Sequence, residues 1–438
     1  MWKTGLLLIC CCVCGPELSA QEKSRPNIIY IMTDDMGYAD LSCYGRKDYK
    51  TPNIDGLAAE GIRFTNAYSA GPLCTPTRVG FLTGRYPARH SLGLIEPLEW
   101  SAKDSLIGLS AEQPSIASLL KASGYHTALI GKWHLGFVPK FNPLQNGFEE
   151  FFGFHGGGVD YISHNGPRGQ PDLWENEKPV KIDGYLTDLL TQKAITFLQR
   201  KHDKPFFLSL QYNAPHWPWQ APGSLPYPDT MRMMVGGSPV IYAAMMKSLD
   251  DNVGLLLKEL KKAGLEKNTV VIFVNDNGGE RYSDMGGLTG AKPQLWEGGV
   301  RVPAMVRWLG HIKPNVVSSQ PIITMDWTVT ILALAGARQA TDFPMDGENL
   351  LPFLTGKTKP FPRSFYWRVF QRNQQKALRN GDWKYLKDEK DEYLFDLQND
   401  PTEKVNLREK QPERFSALKA QYSRWEETVL KPVPLSRQ

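Results

Sequence analysis

Polar side chains that can do chemistry follow four short β-rich stretches of the sequence, directly or within a few residues. In chain order these residues are Asp34, Asp35, Lys132, His134, His216, Asp276 and Asn277. In an open α/β sheet the carboxyl ends of the strands form the ligand-binding edge, so we expect these side chains to meet in one cleft. Asp and Asn also favour the turns that follow strands, but that preference does not explain the lysine and the two histidines.

Part of this group offers oxygen ligands to a metal ion, and most of these ligands are anionic. The residues are Asp34, Asp35, Asp276 and Asn277. Hard cations such as Ca²⁺ or Mg²⁺ prefer this ligand set. Zinc is disfavoured because no His or Cys pair has the spacing of metal ligands. Without a cation, converging carboxylates would be costly to keep ionised together.

Cys74 is the candidate nucleophile. Pro76 suits the first turn of a helix, and Arg78 follows four residues after the cysteine, on the same helical face. A thiol at a helix N-terminus near a guanidinium is expected to be activated. A cysteine phosphatase would need an arginine six positions after the cysteine, where this chain has Gly80. A buried structural cysteine is the alternative.

The β-rich stretches alternate with amphipathic segments to about residue 355, which predicts an α/β fold with a large, mostly parallel sheet between helices. The predicted strands are residues 27–32, 127–130, 205–211 and 269–274. The predicted helices are residues 52–60, 114–122, 186–201 and 241–263. Residues 215–239, rich in proline and glycine, are predicted to form a long surface loop.

The texture of the sequence changes after Pro362. Short aromatic alternations precede a final predicted helix at residues 412–427, which indicates a small antiparallel sheet with one helix packed on it. We therefore predict a signal peptide at residues 1–20, a catalytic domain at 21–360 and a C-terminal α+β subdomain at 361–438.

The N-terminus has the basic start, apolar run and small-residue end of a secretory signal, with cleavage expected after Ala20. We expect a periplasmic or secreted protein. The alternatives are a buried N-terminal helix and a lipoprotein anchor, but the cysteines of this stretch lack a convincing lipobox. No later stretch has the roughly 18 uninterrupted apolar residues of a transmembrane helix.

The composition limits the remaining classes. A chain of 438 residues with 41% hydrophobic residues can bury a large core. Cleavage would leave Cys43 and Cys74, which is poor material for a disulfide framework. The formal charge of +5 suits anionic substrates, and no lysine and arginine block indicates nucleic-acid binding.

Cys74-x-Pro76-x-Arg78 resembles the signature of the type I sulfatases, which the formylglycine-generating enzyme recognises. Further segments resemble this family in matching order: Leu82-Thr83-Gly84-Arg85, Gly131-Lys132-Trp133-His134-Leu135-Gly136, Asn275-Asp276-Asn277-Gly278-Gly279, Lys292, and residues 296–303, 377–379, 383–384 and 400–403. The likeness extends from about Pro26 to the C-terminus. It implies the fold of the alkaline-phosphatase superfamily, with the active site in the large α/β domain. One departure is Asn275, where relatives often carry Ser or Thr.

The resemblance also implies roles for the residues. Ca²⁺ would be held by Asp34, Asp35, Asp276, Asn277 and the formylglycine made from Cys74. One hydroxyl of the hydrated formylglycine would attack sulfur. Arg78, Lys132 and Lys292 would neutralise the charge on the nucleophile and the sulfate oxygens. His216, together with Lys292, would protonate the leaving oxygen, and His134 would take the proton that releases sulfate.

Sulfated carbohydrate is the expected substrate, because aromatic side chains such as Trp217 and Trp219 stack on sugar rings. His155, Asp160 and His164, which lie in or near a glycine-rich stretch, are predicted as further sugar contacts. Two alternatives stay open. The same residues would serve a phosphoester or phosphonate monoester hydrolase, and a binding protein for sulfated glycans would need only the cleft.

Overall fold

The computed structural model describes Trp2 and residues 25–101, 106–227, 234–371 and 373–433. Apart from Trp2, the predicted signal peptide at residues 1–20 lies outside the described residues. Across the described ranges, the helices are too short or too polar to cross a membrane.

The strands and helices are numbered in chain order. The strands are β1 (Asn27–Thr33), β2 (Ile62–Phe64), β3 (Ala67–Tyr68), β4 (His126–Lys132), β5 (Glu150–Phe154), β6 (Trp174–Glu175), β7 (Lys178–Pro179), β8 (Phe206–Gln211), β9 (Thr269–Asn275), β10 (Ala304–Arg307), β11 (Val316–Ser318), β12 (Ile322–Ile323), β13 (Ser364–Val369), β14 (Gln375–Asn380), β15 (Trp383–Asp388) and β16 (Asp391–Asp396). The helices are α1 (Pro52–Ala59), α2 (Cys74–Thr83), α3 (Ile116–Ala122), α4 (Leu186–Gln199), α5 (Pro239–Lys262), α6 (Glu297–Val300), α7 (Thr324–Ala335), α8 (Leu351–Leu354) and α9 (Pro412–Glu426).

A large mixed sheet forms the centre of the molecule, with strand order β11-β2-β10-β9-β1-β8-β4-β5-β6-β7. Its middle strands, from β9 to β5, are all parallel. β10 is antiparallel to both of its neighbours, and β6 and β7 extend the other edge as antiparallel strands. β1, β8 and β9 are buried along their whole length, as expected for strands covered on both faces. The predicted mostly parallel α/β sheet is confirmed.

Two apolar layers cover the faces of this sheet. Alternate residues of β1 point into opposite layers, Ile28 and Tyr30 into one and Ile29 and Ile31 into the other. Helices α2, α3 and α7 contribute to the first layer, and α1, α4 and α5 contribute to the second.

The four predicted helices are present with shifted ends. Ser115 caps α3 by accepting a hydrogen bond from the Ser118 amide at 3.0 Å, so this helix begins two residues after the predicted start. Ser238 caps α5 in the same way through the Ile241 amide at 3.2 Å, which brings the start of that helix forward to Pro239.

The predicted surface loop at residues 215–239 is wrong in its first part. His216, Trp219 and Gln220 are buried, because this segment packs against the sheet edge where the polar residues gather. Residues 221–227 are mostly exposed, and residues 228–233 lie outside the described ranges.

Strands β13–β16 form a second, antiparallel sheet, which we call the C-terminal sheet, and α9 packs on it through Leu418, Tyr422 and Trp425. This arrangement confirms the predicted small antiparallel sheet with one helix.

A buried ionic network joins the C-terminal sheet to Glu297 and Tyr68 in the earlier part of the chain. The Lys384 ammonium lies 2.9 Å from Glu297 Oε1 and 2.8 Å from Glu403 Oε1, and all three side chains are buried. The Tyr68 hydroxyl donates to the other oxygen of Glu297 at 2.6 Å. Buried ion pairs and a hydrogen bond therefore link the two parts of the chain.

Candidate active site

The loops after β1 and β9 bring the acidic residues together, because these parallel strands are neighbours. The Asp35 amide donates to Asp276 Oδ1 at 3.2 Å, and Asn277 Nδ2 donates to Asp35 Oδ1 at 2.7 Å. Asp34, Asp35, Asp276 and Asn277 are all buried. These four residues converge at the carboxyl edge of the sheet, as expected from the sequence.

Asn275 ties these two loops to each other. Its Oδ1 accepts from the Thr33 hydroxyl at 2.8 Å and the Met36 amide at 3.2 Å, and its Nδ2 donates to the Met36 carbonyl at 2.9 Å. The Asn275 side chain therefore bonds to both the amide and the carbonyl of Met36, and so positions the loop after β1.

Cys74 is the first residue of α2 and is buried between charged groups. Its Sγ donates to Asp34 Oδ1 at 3.5 Å and accepts from Lys292 Nζ at 3.6 Å. Lys292 also donates to both oxygens of Asp35, at 2.8 and 2.7 Å. The expectation of an activated thiol is wrong, because burial raises the pKa of the Cys74 thiol despite the nearby lysines.

Two further cations complete the cluster. Lys132, the last residue of β4, places Nζ 2.5 Å from Asp34 Oδ2. Arg78, one helical turn after Cys74, donates to Asp276 Oδ2 at 3.2 Å and to Gln211 Oε1 at 3.0 Å. Gln211 ends β8 and was not singled out from the sequence, since a polar residue at the end of a β-rich stretch carries no distinctive signal.

Burial affects the pKa values of Asp276 and Asp34 differently. Burial raises the pKa of Asp276 to about 8, and the charge of Asp34 adds to this effect. Burial also opposes ionisation of Asp34, but Lys132, His216 and Arg78 hold the pKa of Asp34 well below its usual range. A cation bound in the cluster would lower the pKa of Asp276 and favour its ionised form.

Part of this cluster could hold a metal ion. One ligand atom each from Asp34, Asp35, Cys74 and His216 lies within 4.8 Å of the others. The buried Asn277 Oδ1 has no hydrogen-bond partner, which is unusual for a buried carbonyl oxygen and would be satisfied by a bond to a metal ion.

The two histidines are held in different tautomers. His134 Nε2 lies 2.8 Å from the Leu98 carbonyl and must carry the proton, so the buried, unpartnered Nδ1 offers a lone pair. His216 Nδ1 lies 2.5 Å from the Trp217 carbonyl, which leaves Nε2 facing Asp35 Oδ2 at 3.4 Å. Burial lowers the pKa of His216 to about 4, so a proton on Nε2 at neutral pH requires added negative charge, as from a bound anion.

Two residues of this cluster have left-handed backbone conformations, Asp35 with φ 61° and His134 with φ 58°. Residues other than glycine rarely adopt this region, and such strain concentrates at functional sites. Hydrogen bonds from Asn277 and Lys292 hold the Asp35 side chain, and the Leu98 carbonyl holds the His134 ring.

A cavity of about 440 Å³ opens over Cys74. The cavity is lined by Leu73, Cys74, Pro97, Leu98, Glu99, Trp100, His134, Gly157, Gly158, Pro167, Arg168, His216, Trp217, Met234, Glu280, Lys292 and Pro293. Gly157 and Gly158 allow the chain to lie directly against the histidines, because a Cβ would come within 2.7 Å of the His134 ring and 3.1 Å of the His216 ring.

Four predicted sugar contacts do not line this cavity. His155, Asp160, His164 and Trp219 are buried. Asp160 accepts hydrogen bonds from the amides of Ile162 and Ser163, and His164 is bonded to the Gly184 carbonyl. Trp219 packs edge-on against Tyr282. These predictions were wrong because local composition does not reveal burial, whereas Trp217 does line the cavity.

The fold and the cluster together define an α/β protein whose charged site, at the carboxyl edge of the sheet, suits an anionic substrate. Comparison with known proteins narrows this class. The sulfatase family model matches residues 26–337, and the model for the C-terminal part of N-sulphoglucosamine sulphohydrolase matches residues 291–426.

Individual relatives agree with the family models. The chain is 36% identical over 381 residues to the N-acetylgalactosamine-6-sulfatase of Mus musculus, covering 80% of this chain and 70% of that protein. It is 32% identical over 433 residues to the steryl-sulfatase of Rattus norvegicus, covering 79% and 73% respectively. The crystal structure of Ps i-CgsB in complex with k-i-k-neocarrahexaose superposes with a TM-score of 0.84 at 32% identity, covering 95% of this chain and 96% of that one.

The chain belongs to the type I sulfatase family. It is a sulfuric ester hydrolase, and the resemblance of its motifs to this family is confirmed.

Proposed function

We propose that this sulfatase hydrolyses a sulfate ester on a carbohydrate, with residue 74 as the nucleophile. The observation that carries the proposal is the position of Cys74 Sγ, 3.5 Å from Asp34 and 3.6 Å from Lys292, at the floor of the cavity. A sulfate group above this atom would meet Lys132, Lys292 and Arg78, which supply the positive charge that its oxygens need.

Two groups would complete the site. Conversion of Cys74 to formylglycine by the formylglycine-generating enzyme would supply a hydrated aldehyde as nucleophile. Ca²⁺, held by Asp34, Asp35, Asp276, Asn277 and residue 74, would supply Lewis-acid charge and orientation. The unpartnered Asn277 Oδ1 and the raised pKa of Asp276 support a cation at this place.

The histidines would move the protons. His216 Nε2 faces the cluster and would protonate the leaving oxygen, once the bound sulfate adds negative charge beside the imidazole. Lys292 would assist, because its ammonium lies between Asp35 and Cys74. His134 Nδ1, with its free lone pair, would take the proton that releases sulfate from residue 74.

Carbohydrate is the proposed alcohol part of the substrate. The cavity over Cys74 has aromatic walls from Trp100 and Trp217, and such faces stack on sugar rings. Two of the proteins compared above are an N-acetylgalactosamine-6-sulfatase and a protein solved with a neocarrahexaose. This similarity supports a sulfated glycan as the substrate class.

We further propose that the chain is exported to the periplasm or the medium, which rests on the signal-like N-terminal sequence. N-terminal sequencing of the mature protein should begin at Gln21. An intact N-terminus in the cytoplasmic fraction would contradict export.

Mass spectrometry of tryptic residues 64–78, from protein made together with a formylglycine-generating enzyme, tests the nucleophile. We expect a lighter peptide whose aldehyde is trapped by a hydrazide. An unmodified thiol would remove the proposed nucleophile. Turnover of an aryl sulfate and an aryl phosphate should then be compared, since faster phosphate hydrolysis would favour a phosphoester hydrolase.

A further inference from the structure

Glu280 lies beside the nucleophile cluster, but the proposed reaction does not use it. It follows Asn277 by three residues, and the loop that carries it is fixed by the Lys292 amide, which donates to the Gly279 carbonyl at 3.2 Å. The Glu280 side chain lines the same cavity as Cys74 and Lys292. Its position is therefore set by the loop that also positions Lys292.

Among the described residues, none forms a hydrogen bond or an ion pair with the carboxylate of Glu280. Its Oε2 is buried without a hydrogen bond, and no ion pair joins Glu280 to a lysine or arginine within the described ranges. Burial raises the pKa of Glu280, and the charge of Asp35 adds to this effect. A buried acceptor that stays unsatisfied is destabilising, so a donor from a bound ligand would be stabilising here.

The charge of the site decides which part of a ligand can meet Glu280. Sulfate oxygens are negative and would be repelled by a carboxylate. Arg78, Lys132 and Lys292 would supply the positive charge that these oxygens need. The complementary group is a neutral hydroxyl. Because Glu280 lines the same cavity as Cys74 and Lys292, a hydroxyl that meets Glu280 would belong to the part of the substrate close to the ester.

We propose that Glu280 accepts a hydrogen bond from a hydroxyl on the carbon next to the sulfated carbon, and so determines specificity. This inference rests on the proposed function. It gives the enzyme a preference for a sulfate ester with a free neighbouring hydroxyl. A second sulfate at that neighbouring position is rejected, because it would place two negative groups against each other.

Catechol monosulfate and phenyl sulfate test the proposal, because they share a ring and an ester but only the first has a neighbouring hydroxyl. Wild-type enzyme should show a higher kcat/KM for catechol monosulfate. In Glu280→Ala this preference should fall by about 10- to 100-fold, as expected for a hydrogen bond to a charged group. Turnover of phenyl sulfate should stay within about threefold, since that substrate makes no such bond.

Two control variants separate the outcomes. Glu280→Gln keeps the shape and an acceptor oxygen, so it should lose only part of the preference. Glu409→Ala, at an exposed position, should leave both substrates unchanged. An equal loss for both substrates in Glu280→Ala, or no loss for either, would overturn the inference. Failure of wild-type protein with confirmed aldehyde content to hydrolyse these esters and sulfated glycans would instead contradict the proposed function.

Discussion

The Lys292 ammonium lies 3.6 Å from Cys74 Sγ and, on its other side, within 2.8 Å of both oxygens of Asp35. The lysine thus bridges the nucleophile and a proposed metal ligand. In the proposed reaction, its charge would be available to both the attacking and the leaving oxygen.

Replacing Lys292 by Ala should lower kcat for an aryl sulfate by about 100- to 1,000-fold, the usual loss when one preorganised charge is removed from a reacting centre. Steady-state kinetics on protein with confirmed aldehyde content checks this. Lys313→Ala removes an exposed lysine and should leave the rate unchanged. A Lys292→Ala variant that keeps the wild-type rate would exclude Lys292 from catalysis.

His216→Gln should affect substrates according to their leaving group, because a general acid matters most when the leaving oxygen is basic. We expect about a 100-fold or larger loss with a sulfated sugar and a much smaller loss with 4-nitrophenyl sulfate, whose leaving group needs no proton. Rates with a series of substituted phenyl sulfates measure this dependence. A uniform loss across the series would assign His216 a structural role.

Calcium should stabilise the folded protein, because a ligand that binds only the native state shifts unfolding by mass action. Calcium at 100 times its dissociation constant should add about 2.7 kcal/mol, measured as an increase in Tm after chelation and readdition. Asn277→Ala should require a higher calcium concentration for the same increase, whereas the exposed Asn399→Ala should not. Identical calcium titrations for Asn277→Ala and wild type would contradict the assigned ligand set.

Gly157→Ala should impair activity with little loss of stability. The added methyl would lie 2.7 Å from the His134 ring, so the ring or the loop must shift. Misplacement of a proton-transfer group by about 1 Å can lower the rate by about 100-fold. Gly56→Ala, where the added methyl meets no atom within 4 Å, is the matched control and should be neutral. Equal activities of the two variants would show that His134 tolerates displacement.

Lys384→Met should destabilise the protein by about 3–5 kcal/mol, because it leaves the buried Glu297 carboxylate without its ammonium. Urea unfolding measures the change. Lys390→Met, at an exposed position, should change stability by less than about 0.5 kcal/mol. A small effect of Lys384→Met would mean that the remaining partners of Glu297 are sufficient.

The sequence revealed the acidic residues because they follow strands whose apolar runs are visible, as with Asp34 after β1 and Asp276 after β9. Other features depend on burial, which local composition does not report. The thiol of Cys74 is therefore not activated as expected, and Asp160 bonds to its own loop instead of facing the cavity. Glu280 and Gln211 carry no motif, since their roles arise only from what the fold places next to them.

The buried network around Glu297 also bears on how the protein can be cut or recombined. A gene fragment ending near residue 360 would encode the nucleophile and every proposed metal ligand, but not Lys384 or Glu403. Such a fragment would keep Glu297 and Tyr68 and expose the apolar surface that the C-terminal sheet covers. Domain exchange between sulfatases should therefore transfer the segment around Glu297 together with the C-terminal sheet, so that the acid and its ammonium come from the same parent.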